Sequence, residues 1–414
     1  MAVNTPGVLD GVIKPYSWGS TDSLAAMMGT TSTTTPQAEL WFGTHPRGPA
    51  TLLRPAASRN VSSDALSGVS PDVLRLDEVI AADPQSELGQ QVARKFAGKL
   101  PFLLKVLAVA RPLSLQVHPN AFEAQAGFEA EEQQGVRVDA AHRSFVDRNH
   151  KPELICALEP FTVLCGFREP VATAKLLRGL GVLELEPAVK LLQANHSQAS
   201  DQIQQVLAWL WGLDVASGAE LAQQVAQACD DLVHVGSHAE FHAEMHWAAR
   251  LAEHHEGDVG VVVALMLNLV TLQPGQALFL EAGRLHCYLE GMAVEIMANS
   301  DNVLRGGLTQ KHVDTNALLE VLDCRPSDVA LLTPTASTHT FRPPVAEFRL
   351  IRMEVSRPVR CVNDGPEIAL CVAGCLSVAN QKIRGGQAVW VPASSGDFEV
   401  AGEGLLFRAM PGDS

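Results

Sequence analysis

A chain of 414 residues exceeds what one hydrophobic core usually supports, so two or three domains are expected. With 47% apolar and 19% charged residues, the composition is that of an ordinary globular protein and excludes a mainly disordered chain. A formal net charge of -15 disfavours general binding to nucleic acid or anionic membrane and confines any anion site to a local basic pocket.

The N-terminal MAVNTP lacks the basic start and apolar run of a secretory signal, so export is not expected. Eight scattered cysteines, with Cys371 and Cys375 the only close pair, read as reduced core residues of a cytoplasmic protein. From Leu100 to Val117 the chain is apolar and β-branched with Pro112 as punctuation, which predicts buried strands joined by a turn. Between about residues 170 and 255 the pattern changes to Ala, Leu and Gln at helical spacing, as in DQIQQVLAWLWGL, and predicts a helical insertion. Strand signals return at VVVALMLNLVTLQPGQALFLEAGRLHCYL, where the apolar run around Val259 to Leu272 is too short and too interrupted to span a membrane.

Near the C-terminus, Gly386-Gln387-Ala388-Val389-Trp390-Val391 repeats Gly275-Gln276-Ala277-Leu278-Phe279-Leu280. His286 follows the first phrase at an offset where the second has Asp397, so two related sandwiches are expected with a metal site only in the first. The predicted fold class is mainly β with an α-helical insertion: two jelly rolls (β-sandwiches) plus a helical domain. The expected boundaries are 1-160 with 259-325 for a catalytic jelly roll, 161-258 for the helical domain, and 326-414 for a C-terminal jelly roll without metal.

Three polar clusters carry the chemistry. In Gln116-Val117-His118, residues two apart in a strand point the same way, so an amide oxygen and an imidazole can converge on one cation; alone, such a pair is more often an ordinary strand pair. In Asp147-Arg148-Asn149-His150-Lys151-Pro152-Glu153, the apolar strand that follows draws Glu153 inward, where an unpaired carboxylate is costly and a metal would resolve the cost. The third cluster runs from His286 through Glu295 and Asp301-Asn302 to Arg305 and Lys311, polar groups set among strand residues.

These segments resemble the type I phosphomannose isomerase family. FVDRNHKPE is similar to the family's Tyr-x-Asp-x-Asn-His-Lys-Pro-Glu motif, and HCYLEGMAVEIMANSDNVLRGGLTQK to its longer second motif. YSWGS, AELWFGTHPRGP and LSLQVHP also resemble family segments. Departures are Phe145 for tyrosine, Cys287 and Gly306 for alanines, and Gln310 for proline. The resemblance implies a cupin-like fold and one Zn²⁺ per chain held by Gln116, His118, Glu153 and His286, the residues the clusters had singled out. It also implies a catalytic Arg305 and a substrate pocket lined by Ser114, Lys105, Lys151, Asp301 and Lys311. Lys105 is equally readable as an edge-strand lysine that snorkels to water.

The implied reaction is the interconversion of mannose 6-phosphate and fructose 6-phosphate by proton transfer between C1 and C2 through an enediol. That chemistry needs a base, an electrophile and a phosphate anchor. Glu295 is the preferred base, with Lys151 and His150 as rival proton carriers. Two other readings stay open: an Fe(II) oxygenase on the same jelly roll, and a non-catalytic sugar-phosphate-binding cupin. The expected partner is a small-molecule sugar phosphate, with neither nucleic acid nor membrane, and the chain is expected to act as a monomer.

Overall fold

The computed structural model describes residues 5–54, 72–194, 198–236 and 240–413. Among these residues, two systems of ten antiparallel strands stand back to back. The first runs Leu267–Leu272, Phe161–Phe167, His286–Ala298, Phe102–Val109, Glu39–Phe42, Val12–Lys14. Glu153–Ala157 and Leu115–Val117 branch from its long strand and carry Ala277–Leu280 and Leu304–Gly307 in turn.

The long strand His286–Ala298 belongs to both leaves of this sandwich. Its first residues pair with Phe161–Phe167 and Leu115–Val117, and its later ones with Phe102–Val109 and Glu153–Ala157. The strand turns from one leaf to the other after a register shift between Tyr288 and Glu290. Gly291 makes the turn possible, with φ at +121° and a place where a Cβ would lie 2.5 Å from the Pro160 carbonyl oxygen.

Strand alternation then decides which side chains look inward. Leu104, Val106 and Ala108, with Val294 and Ile296, face the second system and pack with Ile368, Leu370, Trp390 and Phe407. Leu107, Ile155 and Ala293 face the interior of the first sandwich, so Lys105, Glu153 and Glu295, two residues along from them, are turned into it as well. The helical pattern is realised as Pro170–Gly179, Glu186–Leu192, Ala199–Trp211, Val215–Val235 and His242–His254, whose apolar faces cover the leaf carrying Leu115, Leu164 and Leu289. Asp214 starts the longest of them by accepting hydrogen bonds from the Ala216 and Ser217 amides. No helix among the described residues is long and apolar enough to cross a membrane.

Two expectations need correction. The apolar run at Gly260–Ala264, read as the return of strands, is one turn of helix, and the strand begins only at Leu267. A short fully buried apolar run has no periodicity to separate the two, and Asp258 decides the matter by accepting from the Gly260 amide at 2.8 Å. All eight cysteines are free and seven are buried, but Cys375 is exposed, in a stretch that follows the register shift between Cys371 and Ala373.

The second system runs Thr338–Phe341, Arg349–Val355, Phe398–Met410, Glu367–Val378, Gln387–Val391, Gly7–Asp10, Thr51–Arg54, Asp72–Arg75. The N-terminal strand thus completes the C-terminal sheet. The repeated phrase forms a strand in each system, Ala277–Leu280 and Gln387–Val391. In the second, the interior is filled by Ala369, Cys371, Val389, Val391, Val400 and Leu406, and Asp397 pairs with Arg360 at 3.1 Å.

Candidate metal centre

His118, Glu153 and His286 meet inside the first sandwich, with their candidate ligand atoms within 4.8 Å of one another and all three residues buried. Each imidazole is tethered through Nδ1: His118 to the Asn302 carbonyl oxygen at 2.8 Å, His286 to that of Arg284 at 3.0 Å. A carbonyl only accepts, so both rings carry their proton on Nδ1 and present a bare Nε2 to the common point. These nitrogens lie 3.3 and 3.8 Å from the two oxygens of Glu153.

The electrostatics suit a cation. Burial, with Lys151 beside it, depresses the His118 pKa to about 4, and burial lowers that of His286, so both rings are neutral at pH 7. Burial works against the Glu153 carboxylate, but the Lys151 ammonium at 2.9 Å outweighs it and holds the group ionised. His118 Nε2 is buried without a hydrogen-bond partner, a cost that a bound cation removes. Gln116 is the cross-strand neighbour of both His286 and Arg305, which puts an amide beside this donor set. Two imidazole nitrogens, a carboxylate and an amide oxygen suit Zn²⁺.

A polar layer backs the donors. Tyr288, two residues along the strand from His286, places its hydroxyl 3.1 Å from Glu153 Oε2 and 3.2 Å from Glu295 Oε1. Lys105 reaches Glu295 at 2.8 Å and Glu39 at 3.8 Å, and Trp41 donates its indole N–H to Glu39. Burial opposes the charge of Lys105, but Glu295, Glu39 and Glu153 overcome it, so the ammonium stays charged. It is no edge-strand lysine: it lies on an inner strand, buried, flanked by Glu39–Phe42 and His286–Ala298. The Glu295 carboxyl is pushed up to about 7, by burial first and against the pull of Lys105.

Cations stand near these donors. Arg305 is half-buried on the strand beside Gln116, and no carboxylate or hydrogen-bond partner meets its guanidinium among the described residues. Burial lowers the pKa of Arg305, and burial followed by the charges of Arg305 and Arg47 lowers that of exposed Lys311. Asp301 is held between His45 at 3.4 Å and Arg47 at 3.5 Å. Ser114 is half-buried immediately before the Leu115–Val117 strand. His150 turns elsewhere, its imidazole 2.9 Å from Glu347 in the approach to the second system.

Sequence reasoning passed over Tyr288, His45, Glu39 and Trp41. Tyr288 had a signal: it is one of two tyrosines in the chain and shares a strand face with His286 two residues away. The others owe their place to pairing between distant strands.

Fold and site together define a metal-binding protein of the cupin-like double jelly roll class. The profile of "Phosphomannose isomerase type I, catalytic domain" matches residues 8–170. The mannose-6-phosphate isomerase of Escherichia coli K12 is 33% identical over 409 residues, 96% of this chain and 97% of that protein. The human enzyme of the same name is 33% identical over 394 residues, 88% and 87% of the two chains. A substituted phosphomannose isomerase from Salmonella typhimurium superposes with a TM-score of 0.86 at 30% identity, over 99% of this chain and 100% of that one. A zinc-bound mannose 6-phosphate isomerase superposes with a TM-score of 0.85 at 29% identity, over 99% and 100% of the two. The chain belongs to the type I phosphomannose isomerases.

Proposed function

We propose that this chain interconverts D-mannose 6-phosphate and D-fructose 6-phosphate with one Zn²⁺ held by Gln116, His118, Glu153 and His286. The observation that carries the reading is the pair of neutral imidazoles aimed at Glu153, one with an orphaned nitrogen, with Arg305, unpartnered among the described residues, on the strand beside Gln116. In a chain of net charge -15, two neighbouring cations without a carboxylate of their own among the described residues suit a phosphate, bound in fork fashion by arginine and as a point charge by Lys311.

The reaction moves a proton from C2 to C1 of the opened sugar, while the hydroxyl proton on O2 leaves and one is gained at O1. A zinc ion at the site supplies polarisation of the substrate oxygens and fixes their orientation. Glu295 is our choice for the carbon proton: its carboxyl, raised to about 7, can both take and return a proton at neutral pH. Lys105 keeps Glu295 in place, and Tyr288 links it to Glu153. Lys151, against Glu153, is the better placed of the two rival carriers, because His150 is engaged by Glu347. Arg305 adds fixed positive charge near the developing oxyanion or the phosphate. Ser114 and Asp301 line the pocket in this reading.

The chain divides, in our reading, into a catalytic jelly roll of residues 1-160 and 259-325, a helical domain of 161-258 and a C-terminal jelly roll of 326-414, with the strands Gly7–Asp10, Thr51–Arg54 and Asp72–Arg75 of the first segment lent to the sheet of the last. We take it to act as a cytoplasmic monomer.

Purified protein should contain about one zinc per chain. It should lose mannose 6-phosphate isomerase activity on chelation and regain it with zinc. Stoichiometric zinc without turnover overturns the proposal, and oxygen uptake with bound iron would replace it by the oxygenase reading.

A further inference from the structure

Arg305 and Lys311 sit at the two ends of a seven-residue segment that ordinary strand pairing does not explain. Only Leu304 to Gly307 are strand, with a register shift between Arg305 and Gly307. Gly307 has φ of +130° and the buried Leu308 a φ of +56°, a left-handed conformation costly for leucine that persists only where the surroundings over-determine it.

The helical block supplies that determination. Trp211, the last residue of helix Ala199–Trp211, donates its indole N–H to the Gly306 carbonyl at 3.3 Å. Asp258 divides its carboxylate: Oδ1 accepts from the Gly260 amide at 2.8 Å and Oδ2 from the Thr309 amide at 3.1 Å. Thr309 passes the restraint on, its hydroxyl oxygen accepting from the Lys311 amide at 3.1 Å. Backbone meets backbone between them: a Cβ on Gly260 would lie 2.8 Å from the Leu308 nitrogen and 3.0 Å from the Gly307 Cα.

We propose that Asp258 and Trp211 are positioning residues for substrate binding: the helical block holds the Arg305–Lys311 segment so that both cations meet the same phosphate. This rests on the reading of Arg305 and Lys311 as the phosphate anchor. Neither positioning residue touches the metal donors, so their effect falls on anion binding and leaves the metal alone.

The test compares Asp258→Ala, Asp258→Asn and Trp211→Phe with Lys311→Ala, reading KM and kcat for mannose 6-phosphate, competitive inhibition by inorganic phosphate, zinc content and the melting temperature. Asp258→Ala is expected to raise KM and the phosphate inhibition constant on the order of tenfold, with kcat changed less and zinc unchanged. Asp258→Asn keeps one acceptor oxygen and should lie between wild type and alanine. Trp211→Phe removes only an N–H and should raise both constants about threefold, which keeps the question open to decision if Asp258→Ala folds poorly. If Lys311→Ala weakens phosphate inhibition while Asp258→Asn and Trp211→Phe lower only the melting temperature, the positioning role is wrong and the anchor stands. If Lys311→Ala leaves phosphate inhibition unchanged, the anchor falls and the positioning role with it.

Discussion

Asn302 is wholly buried, and its amide group is used at four points. Oδ1 accepts from the Val146 and Asp147 amides at 2.8 and 3.1 Å, and Nδ2 donates to the Asp147 and Asn149 carbonyls at 2.8 and 2.9 Å. Its own carbonyl fixes the tautomer of His118. Asn302→Ala keeps that backbone carbonyl but removes the side-chain hydrogen bonds that hold it in place, so it should cost about 3 kcal/mol in denaturant unfolding and weaken zinc by roughly tenfold or less. A variant with wild-type zinc affinity would show that the carbonyl keeps its place against His118 without the Asn302 side chain. Tyr288→Phe asks a narrower question, since it deletes only the hydroxyl between Glu153 and Glu295. Zinc should be retained while kcat falls roughly 10- to 100-fold, because a hydrogen bond to a charged group contributes about 1.5–3 kcal/mol. Unchanged kcat would remove Tyr288 from the active arrangement. At this scale His118, Glu153 and His286, the three residues that meet, were legible because each belongs to a cluster of polar groups set among strand residues. The network behind them was not, because Asn302 meets its partners across 153 to 156 positions of chain.

Among the elements, the strand Leu304–Gly307 shows where this chain departs from its family. Gly306 stands where the family motif has alanine, and its φ is not in the left-handed region. A Cβ placed there meets Leu285 and Leu318 side chains and the Trp211 ring at 3.4–3.5 Å, ordinary contact rather than collision. Gly306→Ala should raise stability by about 0.4–1 kcal/mol by lowering the entropy of the unfolded chain, and should leave KM near its starting value. A lowered melting temperature would mean that the Arg305 segment tolerates no filling. The long helices were legible from their periodicity, as was the strand Phe102–Val109 from its run of apolar residues. The helix Gly260–Ala264 was not, because all five of its residues are buried and its identity is settled by Asp258 and by backbone contact with Gly307.

For the whole molecule, the question is how two sheet systems with one shared core stay in register. The strand Gly7–Asp10 pairs with Gln387–Val391, and the core between the systems joins Phe102 and Leu104 to Trp390 and Phe407. This arrangement was only half visible in the sequence: the repeated phrase announced two sandwiches, but nothing local could show that the N-terminal strand completes the second. His150 to Glu347, at 2.9 Å, is a polar tie between the loop that leads into the Glu153–Ala157 strand and the approach to the second system. Burial alone would raise the Glu347 pKa, but the hydrogen bond and charge of His150 overcome it and hold the carboxyl below its usual range. A carboxyl whose folded pKa is depressed binds fewer protons folded than unfolded, so its contribution is complete above the unfolded value and fades as pH falls through the folded one. Glu347→Gln should therefore destabilise the protein by about 0.5–1.5 kcal/mol near pH 6, with the deficit closing as pH falls through the lowered range of the folded carboxyl. Because His150 leads directly into Lys151 and Glu153, His150→Ala should cost a similar amount of stability while leaving zinc content intact. Zinc lost together with stability would place the imidazole's main role at the metal centre rather than between the sheets.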